Sequence, residues 1–170
     1  MGENDHMHHQ PTGAAFDIVL LLHVVCVFVG LATVVTSAAT ASRLKRVMGT
    51  DAVLPETVAR YFRPGINWAG RTMWGIPILG FALLAMSRGA YDLHDTWVSA
   101  GLGLFVLLIL VAEGMLWPAE RRLQGTLLPY VPGVTATDRA VQRDRRTMAL
   151  SSGVVIVLLL AGSAIMLAQP

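Results

Sequence analysis

The stretch LLLHVVCVFVGLATVVTSAAT, residues 20–40, has no Asp, Glu, Lys or Arg and contains one ionisable ring, His23. A helix of about 20 apolar residues crosses the roughly 30 Å hydrocarbon core of a bilayer. The stretch therefore predicts a membrane-spanning helix, and three later stretches share its length and composition. The predicted spans are residues 16–40, 66–88, 97–117 and 148–168.

The chain as a whole is strongly apolar, since 54% of its 170 residues are hydrophobic. This composition is typical of a membrane protein rather than of a soluble domain. Residues 1–15 are predicted to form a polar external tail, and residues 16–170 a membrane domain. The loops are too short for a soluble enzyme domain or a nucleic-acid-binding domain. We therefore predict an all-α, polytopic four-helix bundle whose surroundings are the lipid bilayer.

Basic residues collect in two of the three loops, and loops that stay in the cytoplasm keep Lys and Arg. This asymmetry predicts a bacterial plasma-membrane protein with both termini on the outer side, because the loop between the second and third spans has only Arg88 at its edge. Trp68 and Trp117 are predicted at the inner interface and Trp97 at the outer one. The basic residues on the inner side are Arg43, Lys45, Arg46, Arg60, Arg63, Arg71, Arg121, Arg122, Arg139, Arg143, Arg145 and Arg146.

The first span carries a stripe of small and polar residues at intervals of three and four, which places them on one helix face. The stripe comprises His23, Cys26, Gly30, Thr33, Ser37 and Thr40. We expect this face to point into the bundle, with His23 near the outer end. A buried imidazole there is either hydrogen-bonded to a neighbouring helix or part of a binding site. For a metal, Cys26, Met86 and Met166 are candidate soft ligands.

Two intramembrane charges of opposite sign are predicted at a similar depth, Arg71 on the second span and Glu113 on the third. A structural ion pair between them is one interpretation, and a proton or anion site is the other. In the external tail, His6, His8 and His9 lie close together. Imidazoles bind copper or zinc, so this cluster is either a weak metal site or simply a solvated tail.

The sequence resembles a family of predicted bacterial four-helix integral membrane proteins of unknown function. The resemblance is carried by LLHVVCVFVG (residues 21–30), the basic loop after it, the order of the spans and the closing SAIMLAQP (residues 163–170). More distantly, the first span is similar to copper-resistance-D-type proteins and to the membrane protoporphyrinogen oxidase. In that oxidase a first-helix histidine is implicated in haem binding, so the resemblance implies a cofactor role for His23.

Three functional hypotheses follow from these patterns. The chain is a non-catalytic subunit or interaction partner within a larger membrane complex, a haem-b- or copper-binding redox or cofactor protein that uses His23, or a small transporter or channel. No motif of a soluble-type enzyme is present, which favours a protein without catalytic residues of its own. Protein partners in the membrane are expected, and nucleic acid is not.

Overall fold

The computed structural model describes residues 13–47, 55–63, 65–87, 89–127 and 139–168. In this part of the chain every regular element is a helix. The helices are α1 (Ala14–Val47), α2 (Glu56–Tyr61), α3 (Trp68–Met86), α4 (Thr96–Leu127) and α5 (Arg139–Leu167). All except α2 are long and apolar enough to cross a membrane. The all-helical architecture with four candidate spans is thus confirmed, whereas the side on which the termini lie stays a prediction.

Helices α1, α4 and α5 extend beyond the predicted spans at the end that carries most of the basic residues, here called the basic end, whereas α3 lies within its predicted span. The prediction followed hydropathy, which falls where the chain leaves the apolar layer, but helical hydrogen bonding continues past that point. Ala41 and Leu44 on α1 and Ala119 and Leu123 on α4 are fully buried there. The hydrophobic core therefore continues into these extensions.

The short helix α2 packs against the basic end of the bundle. It begins after Pro55, whose carbonyl accepts hydrogen bonds from the N–H groups of Val58 and Ala59. The side chain of Val58 is fully buried, and Phe62 just after the helix is 1% exposed. These two apolar side chains hold the loop segment against the long helices.

Helix α1 packs against both α3 and α5, and α5 packs against α4, but the backbones of α3 and α4 are not closely packed. Glycine allows the close approach of α1 and α3, because a Cβ atom added at Gly75 would lie 2.7 Å from Sγ of Cys26. Side chains bridge the gap between α3 and α4. One bridge is the edge-on contact of the Trp74 and Phe105 rings, whose centroids are 6.3 Å apart.

Two of the long helices contain irregular turns. In α3, residues Thr72–Trp74 form a 3₁₀ turn just before Pro77, which has no N–H to donate to the preceding turn. In α4, residues Ala112–Leu116 form a π-helical turn that contains Glu113. A π-helical turn inserts one residue into the α-helical register, and π-helical turns occur frequently at functional sites.

Candidate functional site

A buried carboxylate lies at the basic end of the bundle, on residue Glu120 of α4, which is 4% exposed. Its Oε1 atom accepts a hydrogen bond from the hydroxyl of Tyr61, the last residue of α2. It accepts another from Oγ of Ser37 on α1 at 2.9 Å. The two hydroxyl oxygens are themselves 2.6 Å apart. We call Ser37, Tyr61 and Glu120 the carboxylate cluster. It joins α1, α2 and α4 at one point.

The electrostatics of the carboxylate cluster favour a protonated tyrosine. Burial, reinforced by the negative charge of Glu120, raises the pKa of Tyr61, so its hydroxyl remains a donor at neutral pH. The side chain of Asn67 also lies beside Glu120, and Arg71 lies close enough to act on the carboxyl group electrostatically. The arrangement provides hydrogen-bond donors to a buried carboxyl group, as buried polar groups require.

Arg71 and Glu113 are brought together between α3 and α4. Nη1 of Arg71 donates to Oε1 of Glu113 at 2.6 Å, and the guanidinium carbon lies 3.8 Å from the centre of the Trp117 ring. A guanidinium over an indole face gains cation–π attraction. Trp117 is 4% exposed and packs beneath Arg71, so it faces the bundle, and its position at the inner interface stays a prediction.

The ion pair is only partly buried. The side chains of Arg71 and Glu113 retain 29% and 38% of their accessible surface. Val106, Leu110 and Glu113 are spaced four and three residues apart, so they share one stripe of α4, and both apolar members are exposed. We call this surface, consisting of Arg71, Trp74, Val106, Leu110 and Glu113, the ion-pair face.

At the opposite end of the bundle His23 faces inward, as its position in the stripe predicts, and is 5% exposed. Its ring packs against Gly80 of α3, where an added Cβ would lie 3.4 Å from Cε1 of the imidazole. The ring lies beside the backbone of Ile76, and Nδ1 is buried without a hydrogen-bond partner among the described residues.

His23 also lines a cavity of about 40 Å³ between the helices. Most of its wall comes from α4 and α5 and is apolar, and Ser163 provides a second polar group. Helix α3 contributes only Ile76 to the wall. Gly101 and Gly162 line the cavity as well, and their lack of side chains leaves space for it.

The soft ligands predicted for a metal do not converge on His23. Met166 lines the same cavity, but Cys26 does not, since its Sγ lies against Gly75 of α3. Met86, at the end of α3, is not part of the cavity wall. The tail residues His6, His8 and His9 lie outside the described residues. Among the described residues, no three His, Cys, Asp or Glu side chains group around a common point.

The haem that the resemblance implies does not fit the site. A cavity of about 40 Å³ holds about three water molecules at roughly 10–15 Å³ each, and a porphyrin ring is far larger. A single metal ion would fit by volume, and His23 and Met166 are the wall residues that could hold it. We derive no chemistry through either group.

In the described part of the chain, the buried hydroxyls of Ser151 and Ser152 on α5 donate to carbonyls of their own helix. Val34 and Met73, buried to 1% exposure or less, lie between His23 and the carboxylate cluster. A transporter or channel would need polar groups along that path. The geometry therefore gives the transporter hypothesis no support.

The carboxylate cluster was missed from the sequence, although a signal for it exists. Glu120 was assigned to a polar loop because the hydropathy falls after Trp117. The helical pattern nevertheless continues through that region, because apolar residues recur at intervals of four, three and four: Ala112, Leu116, Ala119 and Leu123. Glu120 follows Ala119 on the same inward side, and it is buried with it.

The fold and these sites define a four-span helical bundle with a buried carboxylate at one end and a buried imidazole at the other. No family model, curated protein or solved structure matches the chain. The resemblance to bacterial membrane proteins therefore rests on the residues alone and stays a prediction.

Proposed function

We propose that the chain is a non-catalytic subunit of a membrane complex that binds a transmembrane helix of a partner protein on its ion-pair face. In this proposal it is a multi-pass protein of the bacterial plasma membrane with both termini outside. The observation that carries the proposal is the partial exposure of the Arg71–Glu113 pair on a surface otherwise formed by apolar side chains.

Lipid chains offer no hydrogen bonds, so a half-exposed ion pair in or near the hydrocarbon layer has unused donors and acceptors. Arg71 uses one of its five N–H donors on Glu113, and the carboxylate has further lone pairs. Polar side chains on neighbouring transmembrane helices form such interhelical hydrogen bonds. A partner helix with a hydrogen-bonding side chain at this depth complements the face.

The surrounding residues also suit a helix. Gly114 follows Glu113, and an added Cβ there would meet no atom within 4 Å. Small residues allow helix backbones to approach each other closely in membranes. Trp74, 41% exposed, offers an aromatic surface beside the ion pair. Together these features provide a polar centre within an apolar contact area.

In vivo photocrosslinking tests the proposal. A photoreactive phenylalanine analogue replaces Leu110 on the ion-pair face or, as a matched control, Val157 on α5. Both side chains are 64% exposed, and both lie within predicted spans. We expect a discrete protein adduct from position 110 only, and we expect it to disappear when Arg71→Met and Glu113→Gln are introduced together.

Other outcomes contradict the proposal. Equal adducts from positions 110 and 157 would indicate non-specific proximity, and adducts with lipid alone would indicate that the face is lipid-exposed. A single adduct of twice the chain's mass would show that a second copy of the chain occupies the face. An adduct that persists in the double variant would show that the ion pair does not recognise the partner.

A further inference from the structure

Exposed residues of α5 form a continuous stripe along the helix. Leu150, Val154 and Val157 are 70%, 46% and 64% exposed. The same spacing of three and four residues leads back to Arg146 and Arg143, which are exposed as well. Residues at these intervals are neighbours on a helix surface. We call these five residues the α5 stripe, which is apolar over one part and basic over the other.

The two arginines of the α5 stripe lie at the depth of the lipid head groups in a helix that crosses the bilayer. The middle of the predicted span is Leu158, and Arg146 precedes it by about 12 residues, or about 18 Å along the helix axis. The hydrocarbon core extends about 15 Å from its middle, and the head groups extend to about 20–22 Å. A phospholipid whose chains pack along Leu150 and Val154 therefore has its phosphate near the arginines.

The protein does not neutralise the positive charge of this segment. In the part of the chain that the structure describes, Arg146 forms no ion pair. Nε of Arg143 lies 3.9 Å from Oδ1 of Asp144, but the same oxygen already accepts from Arg122 at 3.0 Å. One carboxylate is thus shared by two guanidinium groups. Guanidinium groups form strong hydrogen bonds with phosphate oxygens, so the basic part of the stripe suits a phosphate.

We infer that the α5 stripe binds an anionic phospholipid, whose chains lie along Leu150 and Val154 and whose phosphate accepts hydrogen bonds from Arg143 and Arg146. A lipid with an ammonium head group neutralises its own phosphate, so it gains less from the arginines than a lipid with net negative charge. The other half of α5 offers no such site, because residues 147–168 contain no Lys or Arg. The stripe is separate from the ion-pair face and does not depend on the partner helix proposed above.

Photocrosslinking to lipid tests the inference. The full-length protein carries a photoreactive phenylalanine analogue at Leu150 or, as a control in the uncharged half of the helix, at Leu160, which is 53% exposed. Each protein is placed in nanodiscs that contain equal amounts of phosphatidylglycerol and phosphatidylcholine with identical chains, and mass spectrometry measures the ratio of the two lipid adducts. We expect phosphatidylglycerol to exceed phosphatidylcholine about fivefold at position 150, the effect of one basic residue near anionic lipid. We expect equal amounts at position 160.

Two double variants with the same change in net charge separate this site from general surface charge. Arg143→Gln with Arg146→Gln should return the ratio at position 150 to about one, because the phosphate loses its donors. Arg60→Gln with Arg63→Gln, which removes two charges in and after α2, should leave the ratio unchanged. Equal ratios at positions 150 and 160, or the same loss in both double variants, would overturn the inference. Loss of the enrichment when inorganic phosphate is added at constant ionic strength would overturn it as well, since the arginines would then bind soluble phosphate.

Discussion

Arg71 and Glu113 connect two helices whose backbones are not closely packed. Nη1 of the arginine lies 2.6 Å from Oε1 of the glutamate, across the gap between α3 and α4. The same guanidinium covers the face of the Trp117 ring. In this half of the bundle, α3 and α4 are thus joined by side chains, and the ion pair contributes to the closure of the bundle as well as to its surface.

A double-mutant cycle tests this connection. Arg71→Met and Glu113→Gln, each alone, leave one charge without its partner. We expect each to cost about 1–3 kcal/mol, between the values for exposed and buried pairs, because both side chains keep part of their accessible surface. The double variant should cost less than the sum of the two. Thermal unfolding in detergent measures the effect, and strictly additive losses would show that the pair is not coupled.

The carboxylate cluster should hold α2 on the bundle. Tyr61→Phe removes a hydroxyl that donates to the buried Glu120, and hydrogen bonds to charged groups are worth about 1.5–3 kcal/mol. We expect α2 to detach more often, so that trypsin cleaves faster after Arg60 in detergent. Tyr91→Phe, which removes a hydroxyl from the loop at the other end, is the control. Unchanged cleavage in Tyr61→Phe would mean that Val58 and Phe62 suffice to hold the segment.

The raised pKa of Tyr61 also gives stability a pH dependence. A group whose pKa is higher in the folded state contributes stability below its unfolded pKa, roughly 10 for tyrosine, and that stability is lost as pH rises further. We expect the wild type to lose stability above about pH 10 more steeply than Tyr61→Phe. Thermal midpoints across alkaline pH measure the two slopes, and parallel curves would show that Tyr61 ionises as readily folded as unfolded.

The contact between α1 and α3 depends on the absence of a side chain at Gly75. An alanine there would place its Cβ 2.7 Å from Sγ of Cys26, so the helices must separate, at a cost of about 1–3 kcal/mol. Cys26→Ala in the same chain should restore much of the loss. Gly153→Ala, where nothing lies within 4 Å, serves as the control. A Gly75→Ala variant as stable as the control would show that the helices adjust freely.

The sequence predicted the spans and the inward stripe because both are local patterns. A run of apolar residues fixes the number of helices, and the spacing of His23, Gly30, Ser37 and Thr40, all buried, fixes the face of α1. The contact between Arg71 and Glu113 followed from their similar depth and opposite charge. The partial exposure of the pair could not be predicted, because the depth of a residue along a helix does not show which neighbouring helix covers its side chain.

The remaining features depend on packing between distant segments. Glu120 was overlooked because hydropathy treats a glutamate after the apolar run as a loop residue, whereas its partners Ser37 and Tyr61 come from other parts of the chain. The histidine cavity arises from side chains of several helices and from the weak contact of α3 with α4. No local pattern encodes such a volume, so it was visible only in the assembled bundle.

The orientation of the bundle can be tested by labelling. Single cysteines replace His94, whose side chain is 93% exposed, and Gly125, where an added Cβ would meet nothing within 4 Å, in a Cys26→Ser background. Because basic loops remain in the cytoplasm, a membrane-impermeant maleimide added to intact cells should label position 94 and spare position 125. Labelling of position 125 alone would reverse the predicted topology.

The cofactor hypothesis for His23 can be tested with the purified protein. The resemblance to the membrane oxidase implies haem b, but a space of about 40 Å³ does not admit a porphyrin beside the imidazole. Copper would find one imidazole and one thioether on different helices, and Met166 is 37% exposed. We therefore expect a reduced-minus-oxidised spectrum without a Soret band, and less than stoichiometric copper after dialysis. Stoichiometric haem or copper that is lost in both His23→Ala and His23→Gln would show that His23 is a ligand, since an amide does not replace an axial imidazole.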